Sequence, residues 1–122
     1  MKVLLVEDSK FLRVATERAL MQAGYEVSCA ADGEVGLRLA REQLPSLILL
    51  DMMLPKVTGS DVLKALKNDP ATAAIPVIVL TSLSQKNAEQ LARDGAAGFF
   101  EKAELSAGHS SLLAAMEKIL RK

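Results

Sequence analysis

Short apolar runs alternating with helix-patterned stretches predict an α/β protein: a doubly wound five-stranded parallel sheet with helices on both faces. Two observations carry the prediction. Val3-Leu4-Leu5-Val6, Leu47-Ile48-Leu49-Leu50 and Val77-Ile78-Val79-Leu80 are continuous apolar runs, the pattern of strands buried on both faces. Polar or turn residues close each of them, and apolar residues at helical spacing follow. Right-handed crossovers leave few ways to wind such a chain, and the order 2-1-3-4-5 is expected, with a crevice between strands 1 and 3. The 122 residues are read as one domain, 1–122.

Strand 1 is expected over Val3 to Val6 and runs into Glu7-Asp8-Ser9. Asp8 or Ser9 can cap a helix to about Ala23, with Leu12, Ala15 and Ala19 inward and Gly24 as its stop. Glu26 to Ala30 is strand 2, and Asp32-Gly33 turns the chain into a helix to about Gln43, with Val35, Leu39 and Ala40 inward. Leu44-Pro45 ends it. Ser46 to Leu50 is strand 3, ending at Asp51. Pro55 to Gly59 reads as a loop, and Thr58 with Asp61 suggests a cap for a helix carrying Val62, Leu63 and Leu66. Asn68-Asp69-Pro70 breaks that helix. Strand 4 spans Ile75 to Leu80 and ends in Thr81-Ser82, with Pro76 tolerated near its start. A weaker, mostly polar helix covers Ser84 to Arg93. Ala97 to Phe100 is a short strand 5 followed by Glu101-Lys102, and Leu112, Leu113, Met116, Ile119 and Leu120 mark a last amphipathic helix.

Composition narrows the function. Fifteen basic and fifteen acidic side chains cancel, which gives no footprint for nucleic acid or an anionic membrane. The opening apolar run is too short for a signal peptide or a membrane span, and the expected location is cytoplasmic. Cys29, the sole cysteine, cannot form an internal disulfide and reads as a small apolar residue. His109, the sole histidine, falls before the last helix and far from the crevice, so serine–histidine and cysteine–histidine nucleophilic sites are not expected. It reads as a surface polar residue.

The informative polar residues fall at one edge of the sheet. Glu7 and Asp8 follow strand 1, Asp51 follows strand 3, Thr81 follows strand 4 and Lys102 follows strand 5. Carboxylates converging on one crevice repel one another unless a cation sits among them, and hard oxygen ligands select magnesium or a similar ion. A flavin or nucleotide crevice would need a glycine- or serine-rich loop offering amides to phosphate, and neither GxGxxG nor a P-loop is present.

The segments VLLVEDS, LILLDMMLP, VIVLTS and FFEK, in this order, resemble the receiver domain of two-component response regulators, whose sheet has the flavodoxin-like order 2-1-3-4-5. The resemblance covers essentially the whole chain. It implies that Asp51 accepts a phosphoryl group from a histidine kinase or phosphotransfer protein. It implies a Mg2+ ion held by the side chains of Asp8 and Asp51, by the carbonyl of Met53, and by Glu7 through water. Thr81 resembles the hydroxyl that reaches for the phosphoryl group, Lys102 the ammonium that pairs with it, and Phe99 the aromatic that swings inward on activation. The implied output is a switched surface on the fourth helix, fifth strand and fifth helix that meets a downstream target protein. A phosphorylation-dependent homodimer is an assembly it allows. Such a protein is not an enzyme on a separate substrate; it catalyses only its own phosphorylation and dephosphorylation.

Three departures from the family pattern stand out. Ala103 follows Lys102 where the family usually has proline, Phe99 carries no hydroxyl, and Gly95-Ala96-Ala97-Gly98 lacks the acidic pair of regulators that dimerise through salt bridges. Met53 and Leu83, both large and apolar, are expected to flank the path of a hydrolysing water and so to lengthen the life of the acyl phosphate. Two rivals remain. A magnesium-dependent aspartyl-nucleophile phosphatase usually places its nucleophile after the first strand with a second acid two residues on, whereas here the acids after strand 1 are adjacent. A constitutive protein-interaction module with a non-signalling acidic site is the alternative, which an incomplete cluster would favour.

Overall fold

The computed structural model describes residues 1–54, 57–81, 92–105 and 108–121. Five parallel strands form one sheet in the order β2-β1-β3-β4-β5, as the sequence predicts. They are β1 (Lys2–Val6), β2 (Glu26–Ala30), β3 (Leu47–Asp51), β4 (Val77–Thr81) and β5 (Gly98–Glu101). The helices between them are α1 (Lys10–Gln22), α2 (Gly33–Gln43) and α3 (Gly59–Asn68). A short helix, Lys102–Leu105, follows β5, and a last helix spans Ser110–Leu120. The short helix replaces part of the loop expected there. Most of the helix expected over 84–93 lies outside the described residues, as does Leu83.

Side chains of a strand alternate between faces, so each central strand feeds two cores. Leu4, Val6, Ile48, Leu50, Val77 and Val79 meet Val62, Leu63 and Leu66 of α3 on one face. Val3, Leu5, Leu47, Leu49, Ile78 and Leu80 meet Leu20 of α1 and Leu112 and Met116 of the last helix on the other. β3 and β4 are buried along their whole length, which places Asp51 and Thr81 at the buried ends of the central strands. β5 is an edge strand, half-buried throughout; Phe99 packs on the α3 face and Phe100 on the opposite one.

The caps follow the expected chemistry. Ser9, Asp32 and Thr58 accept from the amides of Leu12, Val35 and Asp61, satisfying donors that the first helical turn leaves open. Leu44 ends α2 at a φ of 46°, a left-handed conformation unusual for leucine, just before Pro45.

Several sequence expectations are corrected. In α1 the buried pair is Thr16 and Leu20, not Ala15 and Ala19, which are only half-buried. Thr16 can be buried because its hydroxyl lies 3.0 Å from His109 Nε2. His109 is therefore not merely a surface polar residue: half-buried, it joins α1 to the start of the last helix, and burial pushes its pKa down. β4 starts two residues later than expected, after Pro76, whose carbonyl still accepts from Ile48 N. Cys29 is half-buried and donates weakly to Glu17, and burial followed by that carboxylate pushes the thiol up to about 11. A thiol so high carries almost no thiolate at neutral pH, which agrees with its reading as a small apolar residue.

Candidate functional site

Strand register brings the predicted residues to one edge. Val6 pairs with Leu50 across β1 and β3, so Glu7 and Asp51 follow at the same level. Asp51 pairs with Leu80, which puts Thr81 one step further, and Thr81 pairs with Glu101, immediately before Lys102. Four loops thus empty into the crevice where the sheet order reverses.

Glu7 and Asp51 are fully buried, whereas Asp8 is exposed. One carboxylate oxygen from each of the three lies within 4.8 Å of the others. Lys102 Nζ stands 2.9 Å from Asp51 Oδ2 and 3.2 Å from Glu7 Oε1. The other oxygens are held by backbone: Asp51 Oδ1 accepts from Met53 N at 3.0 Å, and Glu7 Oε2 from Ser9 N at 3.1 Å. Glu7 Oε1 and Asp51 Oδ2 have no geometrically sound hydrogen bond, although Lys102 lies close to both as an ion-pair partner.

The electrostatics are those of an anionic pocket short of cation. Burial pushes the Glu7 carboxyl up to about 7, and the neighbouring Asp51 adds to the shift by favouring the protonated form of Glu7 and by like-charge repulsion; Ser9 N–H and Lys102 oppose it. Burial works against the charge on Lys102, but its ion-pair attraction to Asp51, joined by that to Glu7, outweighs it and holds the ammonium above the usual lysine range. Three carboxylates against one ammonium leave an excess negative charge. Two buried carboxylate oxygens without a hydrogen bond are ligand atoms in waiting. The donor set, all hard oxygen, fits a small divalent cation.

Thr81 is buried at the end of β4. Met53 contributes its backbone to the site through its amide, while its side chain is 62% exposed. Phe99 is half-buried against the α3-side core, opposite Val79. No cis peptide bond occurs among the described residues, so Lys102–Ala103 is trans.

Two contributors escaped the sequence reading. Gly59, the first residue of α3, packs on the backbone of Asp51 and Met52: a Cβ there would stand 2.4 Å from the Asp51 carbonyl oxygen and 2.5 Å from Met52 Cα. A glycine after a cap residue gives only a faint signal, because what it touches is eight positions upstream. Arg13 Nη1 donates to the carbonyls of Glu7 and Asp8, at 2.9 and 3.3 Å. Nothing in its spacing distinguishes it from a solvated helix residue.

A doubly wound parallel sheet whose switch point carries buried acids, a lysine and a strand-end threonine defines an α/β domain with an ionisable cluster at its strand ends. Residues 3–116 match the family described as the response regulator receiver domain, and the chain belongs to that family. Among curated relatives it is 44% identical over 80 residues to the transcriptional regulatory protein AfsQ1 of Streptomyces coelicolor, which covers 66% of this chain and 34% of that one. It is 43% identical over 94 residues to the polar-differentiation response regulator DivK of Brucella anthropi, which covers 76% of each. The matched stretch is thus about a third of the length of AfsQ1 but most of DivK. Among solved structures, the chemotaxis response regulator CheY4 of Vibrio cholerae superposes with a TM-score of 0.88 at 30% identity, covering 97% of each chain.

Proposed function

We propose that this receiver takes a phosphoryl group onto Asp51 from the phosphohistidine of a histidine kinase or phosphotransfer protein, and that Glu7, Asp8, Asp51 and the carbonyl of Met53 hold Mg2+ for the reaction. The observation that carries the reading is Asp51 itself: a fully buried carboxylate with Lys102 at 2.9 Å and two further carboxylates beside it. In the transfer a carboxylate oxygen of Asp51 forms the new P–O bond while the P–N bond of the donor breaks, and the P–N electron pair stays on the imidazole, which leaves as a neutral base because its other ring nitrogen already carries a proton. Met53 N–H fixes the carboxylate through Oδ1. Lys102, already poised between Asp51 and Glu7, follows the negative charge onto the phosphoryl oxygens as a compact point charge. Bound magnesium supplies neutralisation of the carboxylates and polarisation of the phosphoryl oxygens.

The same reading gives the output. Thr81 turns toward the added oxygens, vacating space beside β4 that Phe99 fills from its half-buried position, and the surface around β5 and the last helix changes shape for a downstream protein. Phosphorylation adds on the order of two negative charges, a large local bias on a two-state element. Beyond its own phosphorylation and dephosphorylation the domain, read as residues 1–122, needs no catalytic activity. No described helix is long and apolar enough to cross a membrane.

The test is labelling. The protein is incubated with Mg2+ and acetyl phosphate, and any added phosphoryl group is located by mass spectrometry. Parent protein labelled at Asp51, with an unlabelled Asp51→Asn variant, supports the reading. Full labelling of Asp51→Asn refutes the acceptor, and an unlabelled parent favours a constitutive interaction module with a non-signalling acidic site.

A further inference from the structure

We propose that Arg13 is a positioning residue for the acidic pair, setting the direction in which Asp8 offers its carboxylate to the cation; this rests on the divalent-cation reading of the site. Glu7 and Asp8 are adjacent but differently secured. The Glu7 side chain is fully buried, with Oε2 bonded to Ser9 N, and its amide extends the sheet ladder to Ala30 O at 2.9 Å. Asp8 is exposed, and among the described residues its carboxylate has no hydrogen-bond partner. Its placement therefore comes from its backbone.

Arg13 fixes that backbone. It sits in the first turn of α1, where its own amide bonds to Ser9 O at 2.8 Å, and its side chain folds back over the corner. One guanidinium nitrogen, Nη1, donates to both Glu7 O at 2.9 Å and Asp8 O at 3.3 Å. Those carbonyls belong to the two peptide planes that flank the Asp8 Cα. Peptide planes are stiff, so holding both fixes the two dihedrals at Asp8 and hence the direction of its Cβ. The clamp serves the ligand that has no side-chain support of its own. Outer contacts of this kind, which orient a ligand without touching the metal, typically govern about tenfold or more in affinity.

The sign of the effect separates this role from others. Arg13 is a cation near a cation site, so by Coulomb's law its removal would tighten magnesium binding if charge were its only influence. A positioning role demands the opposite. Lys102→Ala supplies the contrast: it removes a cation that contacts the carboxylates directly, and magnesium binding then tightens.

The experiment is a calorimetric Mg2+ titration of unphosphorylated parent, Arg13→Ala, Arg13→Lys and Lys102→Ala, with amide hydrogen exchange of the metal-free proteins. The expected result is about tenfold weaker binding in Arg13→Ala, partial recovery in Arg13→Lys, and tighter binding in Lys102→Ala. Exchange at the Ser9 amide, which lies in the peptide plane held through Asp8 O, accelerates about tenfold in folded Arg13→Ala. Magnesium binding in Arg13→Ala that is unchanged or tighter overturns the proposal. Unchanged Ser9 exchange overturns it as well, in the absence of any metal. If Arg13→Ala does not fold, Arg13→Lys and Arg13→Gln take its place, and equal affinity in all folded variants again overturns it. A parent that binds no magnesium refutes the cation reading, while the Ser9 amide still decides whether Arg13 holds the corner.

Discussion

Replacing Lys102 with alanine removes the ammonium that stands 2.9 Å from Asp51 Oδ2 and 3.2 Å from Glu7 Oε1. At an effective dielectric of about 20, a charge pair at about 3 Å has a gross attraction on the order of 5 kcal/mol, much of it offset by desolvation. Breaking a fully buried pair costs about 3–5 kcal/mol because one charge is left alone. The Lys102 side chain retains 22% exposure, so a discounted loss of about 2–3 kcal/mol is expected above pH 7. The loss depends on pH in a stated direction. Well below pH 7 Glu7 carries a proton, Lys102 pairs with Asp51 alone, and the variant loses roughly 1 kcal/mol less. Magnesium narrows the gap further, since it binds the variant's unpaired carboxylates more tightly than the parent's. Urea denaturation near pH 5.5 and near pH 8, with and without Mg2+, measures each term. Equal losses at both pH values, or weaker magnesium binding in the variant, would refute the reasoning.

Four further outcomes are expected, three from the same geometry and the last from the sequence alone. Metal-free parent protein loses stability as pH rises from about 4.5 through about 7, because over that window folded Glu7 holds a proton that the unfolded chain has released; the total is about 3 kcal/mol, and a Glu7→Gln variant with an undiminished slope in denaturation experiments would contradict the assignment. Magnesium added near pH 7 releases protons from the parent, measurable as a buffer-dependent heat, and releases far fewer from Glu7→Gln. Gly59→Ala destabilises by about 2–3 kcal/mol and slows labelling of Asp51, since the new Cβ would press on the Asp51 carbonyl; a Tm within a degree or so of the parent's would show that α3 yields freely. A Met53→Asn, Leu83→Glu double variant loses its phosphoryl group about a hundredfold faster in magnesium, and equal or slower decay would show that these apolar side chains do not set the lifetime.

The readable part of the molecule was written in short-range patterns. Continuous apolar runs marked the three central strands, a cap at Asp8 or Ser9, the Asp32-Gly33 turn and a cap at Thr58 marked helix starts, and the inward face of α3 was visible as Val62, Leu63 and Leu66. Those signals lie within one element, where local periodicity and burial agree. The errors came where partners are distant in sequence. α1 buries Thr16 instead of Ala15 because a histidine 93 positions later meets its hydroxyl. Strand limits slipped by a residue or two at β4 and β5, where the ends of neighbouring strands, not propensity, decide what pairs.

For the candidate site the division is similar. The chain alone determined which residues could meet: acids, a threonine and a lysine placed at the carboxyl ends of apolar runs reach the same edge in any right-handed parallel winding, because the crossover rule leaves the sheet little choice. Only the tertiary structure decided their electrostatic state. Burial raises Glu7, closes Lys102 onto Asp51 and leaves two carboxylate oxygens unsatisfied, and each of these depends on distances between separate loops. Likewise Gly59 against the Asp51 carbonyl and Arg13 over the Glu7-Asp8 corner are contacts made by close approach in space. Hydrophobic patterning is a property of the chain, whereas desolvation and Coulomb energy depend on three-dimensional separation.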